Sequence, residues 1–373
     1  MAALERIRPF TAPVIDPITR RTAGQGRFVT CLALLAVVAG CISSTQSAAQ
    51  SLQTFSGVGA AGPSMPTSAP IGAASKAGVS GQILFTRTYN GDQQAIFAAD
   101  ADGSNEHRLT SIGEYCCLLR VSPDRTRILV MPGQDPLPTP VTGGTLAIDG
   151  SGFVTLPLKD PALNLVPQAW SPDGTRIAFE GWDDSQTSRT GVYTARAADT
   201  GDLVRVTTAP GAPNDIPLAY SPDGRQLVLY RAIRVEPGDL PADIGGSLWV
   251  VNVDGSKAHQ IKTPGTAPGW WARWSPDGTK ILFATERLRP DGALWTIRPD
   301  GSDLTLLFKD SQGRFPSGPT WSPDGSQIMF TLNPVSDTFL HVPNGLYVIK
   351  ADGSGLTLVI GGSDFKGQPE WWR

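Results

Sequence analysis

Trp170-Ser171-Pro172-Asp173-Gly174 is followed, two residues on, by the apolar run Ile177-Ala178-Phe179. Near-copies stand at Ser122-Pro123-Asp124-Arg125, Ser221-Pro222-Asp223-Gly224, Ser275-Pro276-Asp277-Gly278 and Ser322-Pro323-Asp324-Gly325. At the same distance come Ile128-Leu129-Val130, Leu227-Val228-Leu229, Ile281-Leu282-Phe283 and Ile328-Met329-Phe330. The serines recur at intervals of 47 to 54 residues, which is the spacing of stacked repeat architectures. Within the motif, Pro presets φ at the second position, Asp tolerates the third, and Gly supplies positive φ, so each copy predicts a tight turn into a strand.

Each unit carries a second apolar pair, at Ile96-Phe97, Val192-Tyr193, Leu248-Trp249, Leu294-Trp295 and Leu346-Tyr347, with a weaker Leu146 in the remaining unit. Asp-Gly-Ser follows at 102–104, 149–151, 254–256, 300–302 and 352–354, degraded to Asp199-Thr200-Gly201 in one copy. Asp-Gly between apolar runs is a hairpin signal, because both residues accept the left-handed backbone. A further strand then leads out, giving four strands per unit and the pattern of a β-propeller blade. A sixth apolar run, Ile83-Leu84-Phe85, has no tetrapeptide before it, while the chain stops at Gln368-Pro369-Glu370-Trp371-Trp372-Arg373, like the approach Pro319-Thr320-Trp321. The expected fold is therefore all-β, a six-bladed propeller of four-stranded antiparallel blades, with the ring closed by its N- and C-terminal strands over residues 80–373.

The combination of Trp-Ser-Pro-Asp-Gly, Ile-x-Phe and a downstream Asp-Gly-Ser resembles the WD-repeat-like propeller of the TolB family, also seen in prolyl-oligopeptidase-type peptidases. The resemblance covers about residues 80–373. Neither the α/β domain that the TolB family implies ahead of its propeller nor the hydrolase domain of the peptidases is expected within these residues.

Arg20, Arg21 and Arg27 precede the apolar run 28–38, and Val38-Ala39-Gly40-Cys41 follows. Basic, apolar and small-residue regions in that order describe an export signal over 1–40, too short in its apolar part to span a bilayer. The last four residues resemble a lipoprotein box, with Cys41 as the lipidated mature N-terminus and membrane attachment through it alone. Ile42 after it resembles outer-membrane sorting in a two-membrane bacterium. A cut at Ser47-Ala48-Ala49, giving a soluble periplasmic or secreted protein, is the alternative. Residues 41–79 are rich in Ser, Ala, Gly, Pro and Thr and poor in large apolar groups, the composition of a flexible tether.

A net charge of −3 and a pI near 5.7 supply no basic field for nucleic acid. Apart from Cys31 and Cys41 the cysteines are the adjacent Cys116 and Cys117, either a vicinal disulfide or two strand residues facing opposite ways. His107, His259 and His341 have no metal-ligand spacing, and no Gly-x-Ser-x-Gly elbow occurs. No catalytic residue, metal or cofactor is expected. The motif aspartates recur in register and are read as scaffold; Asp183-Asp184 fall out of register and read as a solvated loop pair or a cation site.

The same register test sorts the tryptophans. Trp170, Trp274 and Trp321, with Tyr220 in the equivalent slot, belong between blades, whereas Trp182, Trp270, Trp271 and one of Trp371 and Trp372 have no repeat reason to exist. Both turn types fall on one face of the ring. The long connections 131–144, 181–190, 231–246, 286–292 and 332–344 and the inter-blade loops 263–272 and 309–319 fall on the other, where recognition is expected. Trp182, Trp270 and Trp271, read as exposed anchors, and Arg231, Arg234, Arg287 and Arg289 are the candidate binding residues on that face. The expected function is that of a monomeric, non-enzymatic envelope protein holding a protein, peptide or saccharide. A propeller-type enzyme, lyase- or lactonase-like or metal-dependent, is the alternative.

Overall fold

In the computed structural model, which describes residues 79–89, 93–133, 140–208, 214–232, 246–264, 271–285, 292–334 and 344–372, the five tetrapeptides close through one set of bonds. The serine hydroxyl donates to the aspartate Oδ1 at 2.5 to 2.7 Å. The same serine oxygen accepts the amide five residues on at 2.9 Å. Aspartate Oδ1 also takes the amide two residues beyond it, at 3.0 to 3.1 Å. Ser and Asp are thus the internal partners of a turn whose fourth residue sits at φ of 70° to 72° in the four glycine copies and 62° at Arg125. The serine hydroxyl, ahead of the amide bonds, holds each of these carboxyls below the usual aspartate value, and Asp324 falls to about 2.

The strands form six four-stranded sheets, and all their pairs are antiparallel. Taken in ring order, the innermost strands are Phe365–Trp372 in blade 1, Tyr115–Val121 in blade 2, Asn164–Trp170 in blade 3, Asp215–Tyr220 in blade 4, Arg273–Trp274 in blade 5 and Phe315–Trp321 in blade 6. Blade 1 is assembled from both ends of the described chain, since Phe365–Trp372 pairs with Gln82–Thr88 through Ile83 opposite Trp371 and Thr88 opposite Phe365. Among the described residues the sole helical element is a 3-10 turn at Thr187–Arg189.

Six apolar cores lie between neighbouring blades. Trp274 packs with Val228 and Leu248 of blade 4 and Phe283 of its own blade, and Trp321 packs with Leu282 and Leu294 of blade 5. Trp371 fills the same slot in blade 1, against Met329 and Val348 of blade 6, so it is the in-register member of the terminal pair. In blade 2 the slot is held by Val121. Burying an aromatic of this size removes some 150–250 Å² from water, worth several kcal/mol at each slot.

Each innermost strand runs toward its short turn, so strand direction separates two faces. Ser-Pro-Asp-Gly joins innermost to second strand and Asp-Gly-Ser joins third to outermost, both at one face; the other connections end at the opposite face.

Candidate functional site: the long-loop face and the channel

Polar side chains crowd the strand ends beneath the long loops, and most are bonded to one another. In blade 3, Asp183 follows the second strand directly and is 2% exposed. Its Oδ1 accepts from the Ser185 hydroxyl at 2.6 Å and from the Ser185 and Gln186 amides at 2.8 and 3.0 Å, while Arg189 reaches Oδ2 at 2.8 Å. Asp184 accepts from Asn164 Nδ2 at 3.2 Å. This corrects the reading of Asp183 as solvated, since its carboxylate closes its own turn and anchors Arg189, while Asp184 is exposed.

In blade 4, Arg231, next to the end of the second strand Gln226–Ala232, grips Asp215 with two bonds, Nε to Oδ1 at 2.7 Å and Nη2 to Oδ2 at 2.8 Å. Its guanidinium lies 4.3 Å from the Trp249 ring centroid. The same device recurs where Arg314 holds Asp310 and stacks on Tyr347, and where Arg87 holds Asp364 and stacks on Phe97. Arg231, a candidate binding residue, therefore has its charge already matched, and the pair's ion–aromatic sandwich braces the strand ends.

Beside this pair lies Glu180, 6% exposed on the second strand of blade 3. Burial, with some help from the Asp215 charge, pushes its carboxyl up to about 8 against the opposing effect of Asn214, whose Nδ2 donates to Oε1 at 2.7 Å. Glu180 thus tends to keep its proton at neutral pH, beside the Asp215–Arg231 pair. In blade 1, Lys366 is wholly buried and donates to Asp364 Oδ1 at 2.9 Å, so one carboxylate serves both Lys366 and Arg87.

Trp182 ends the second strand of blade 3 at the long-loop face but is 7% exposed, which corrects its reading as an exposed anchor. Trp271, half-buried, leads into the innermost strand of blade 5 on the same face. Trp182, Arg231 and Trp271 thus belong to three adjacent blades. Trp270, Arg234, Arg287, Arg289 and Cys41 lie outside the described residues, as do His341 and the side chains of Cys116 and Cys117. His107 and His259 bond backbone carbonyls beside their Asp-Gly-Ser turns.

The channel holds residues that the sequence reading passed over. Backbone bulges interrupt five innermost strands, between Cys116 and Arg120, Pro167 and Ala169, Pro217 and Ala219, and Ser317 and Thr320, and around Gln368 in blade 1. Leu118 and Gln368 take positive φ there, at 66° and 53°, and are joined by a bond from the Leu118 amide to Gln368 Oε1 at 2.8 Å. Bulges of this kind re-aim side chains. Just past them stand Arg120 and Glu370, and with Arg273 of blade 5 they form a charged group: Arg120 Nη1 lies 3.9 Å and Arg273 Nη2 4.0 Å from the same Glu370 Oε2. Burial, above all, draws both guanidiniums below their usual value.

No family model matches the chain, and no curated protein matches it. Solved structures do. TolB from Acinetobacter baumannii superposes with a TM-score of 0.58 at 16% identity, covering 79% of this chain and 67% of that one. A protein assigned as TolB from Agrobacterium tumefaciens superposes at 0.54 and 16% identity, over 79% of this chain and 100% of the other. The fold is TolB-like. An oligogalacturonate lyase in complex with manganese aligns at 0.47 with 16% identity, a likeness that carries nothing about chemistry. The TolB-like scaffold leaves function to be argued from its own faces.

Proposed function

We propose that this TolB-like propeller is a non-enzymatic binding protein of the cell envelope, which holds a protein, peptide or saccharide on its long-loop face. One observation carries the reading. Under loops that differ from blade to blade, the strand ends are braced by internally matched ion pairs, Arg189–Asp183, Arg231–Asp215, Arg314–Asp310 and Arg87–Asp364. A stiff base below variable loops is the arrangement by which scaffolds present recognition surfaces. Half-buried Trp271 supplies an aromatic anchor there, and Trp270, Arg234, Arg287 and Arg289 are its proposed neighbours. The proposed site is exported, anchored through lipidated Cys41 and monomeric.

A second reading, a propeller enzyme, draws on Glu180. A buried carboxyl that keeps its proton to about pH 8, bonded to Asn214 beneath the long loops, has the pKa of a general acid. Crosslinking in cells followed by mass spectrometry separates the two. Partners captured by the native protein and lost in Trp270→Ala and Trp271→Ala support the binding reading. Crosslinks unchanged by both substitutions overturn the proposed face, and turnover of a candidate ligand that vanishes in Glu180→Gln supports the enzyme.

A further inference from the structure

The charged group in the channel sits away from the long-loop face. Arg120, Arg273 and Glu370 each directly precede the residue that fills the inter-blade slot, hence the short-turn end of the innermost strand. At the same repeat position the other three blades carry Ala169, Ala219 and Thr320. Two cations and one anion have replaced small residues at one level of the ring, and they come from blades 2, 5 and 1, so they meet across the channel and not along one blade.

Their bonding is incomplete. Arg120 Nη1 donates to the Leu119 carbonyl at 2.6 Å and Arg273 Nη1 to those of Ala272 and Leu218 at 3.0 and 3.3 Å, which fixes both guanidiniums. Trp170 Nε1, donating to the Arg120 carbonyl at 3.2 Å, pins that strand in turn. The distances of 3.9 and 4.0 Å to Glu370 exceed hydrogen-bond length. Among the described residues, Glu370 Oε2, Arg120 Nε and, in the neighbouring bulge, Gln168 Nε2 are buried without a hydrogen-bond partner. Side-chain exposures of 9% for Arg120, 13% for Arg273 and 17% for Glu370 leave this group largely removed from water. Among the described residues, one carboxylate against two guanidiniums leaves one positive charge unmatched, in a place where unmatched charge is costly.

We propose that Arg120 and Arg273 form an anion site in the channel that takes a single carboxylate group of a ligand. A carboxylate supplies one negative charge, which equals the excess, and two coplanar acceptors that suit guanidinium donors. A phosphate dianion exceeds that charge. The carboxylate belongs either to a free small acid or to an acidic side chain of a polypeptide. The site stands or falls independently of the long-loop reading, because it lies toward the opposite end of the channel.

Thermal denaturation of the full chain tests it, in sodium acetate, sodium phosphate and a capped peptide bearing one glutamate, each against sodium chloride at equal ionic strength. The expected result is a saturable rise in Tm with acetate over chloride that disappears in Arg273→Gln. In Glu370→Gln the excess charge doubles, and the acetate affinity should rise about tenfold although the unliganded protein is less stable. This second variant decides the matter should Arg273→Gln fail to fold. A response to the peptide as well as acetate places the carboxylate on a polypeptide, and a response to acetate alone makes it a free acid; both uphold the site. Coincident acetate and chloride curves in both the native protein and Glu370→Gln overturn it. So does an Arg273-dependent phosphate response larger than that to acetate.

Discussion

The two faces of this ring are built on opposite rules. On the short-turn face one solution is repeated: serine bonds aspartate, both bond the following backbone, and the chain turns back. On the long-loop face an arginine gripping an aspartate is reused, but from different places in the blade: Asp183 with Arg189 after a second strand, Asp215 with Arg231 at the start of an innermost strand, Asp310 with Arg314 after an outermost strand, and Asp364 with Lys366 and Arg87 ahead of an innermost strand. Repetition marks where the scaffold is secured, and divergence marks where it is free to acquire a role. The difference is also energetic. The turn carboxylates lie near water and act in parallel, so the loss of one is local, whereas the ion pairs of the other face are partly or wholly buried and are not copied at every blade.

The largest expected effect comes from breaking one of those buried ion pairs. Asp364→Ala strips the wholly buried Lys366 of its carboxylate and should destabilise the protein by about 3–5 kcal/mol, measured by denaturant unfolding. A loss below about 1 kcal/mol would place that pair in the same class as a surface bridge.

Next is Glu180→Gln, which keeps the bond from Asn214 and removes the titrating group. Folded Glu180 holds its proton to about pH 8 while the unfolded chain releases it near the ordinary 4.5, so the folded state binds more protons in that window. Its contribution to stability is full below 4.5 and drains away as pH rises to about 8. The variant should therefore gain roughly 2–4 kcal/mol relative to the native protein between pH 4 and pH 8, read from unfolding midpoints at each pH. A difference that stays flat across that range would show that Glu180 is ionised throughout.

The smallest effect tests the repetitive face. Ser171→Ala and Ser275→Ala each remove the hydroxyl at the centre of one turn and should each cost about 1–2 kcal/mol. The two losses should match and should add in the double variant, since the turns share no bond. Unequal losses would mean that the repeats are less equivalent than their geometry.

These contrasts explain what was legible in the sequence. Turns and strands could be read because Ser, Pro, Asp and Gly act on their immediate neighbours, and ring closure could be read because Pro369-Glu370-Trp371 matches Pro319-Thr320-Trp321. The long-loop face was harder. Arg231 reads as a free surface charge until the hairpin brings Asp215 opposite it, and Trp182 reads as surplus until its burial is known. Glu180 gave no local signal at all, since its protonation depends on a neighbouring blade. Arg120, Arg273 and Glu370 were visible in principle. They break register at a position that is Ala, Ala and Thr elsewhere, and the comparison applied to the tryptophans would have exposed them one residue earlier.

Blade 1 sets a timetable as well as a shape. Its innermost strand comes after every other described strand, and Thr86 on its neighbour finds the Gly367 carbonyl 281 residues later in the chain. Until those final residues are synthesised, blade 1 lacks the strand that faces the channel, and the core it shares with blade 6 lacks Trp371. A growing chain can assemble hairpins and single blades as they emerge, but it cannot complete a ring. The closed ring is therefore withheld until that strand has been made, and a chain lacking Phe365–Trp372 should persist as an open, protease-sensitive arc.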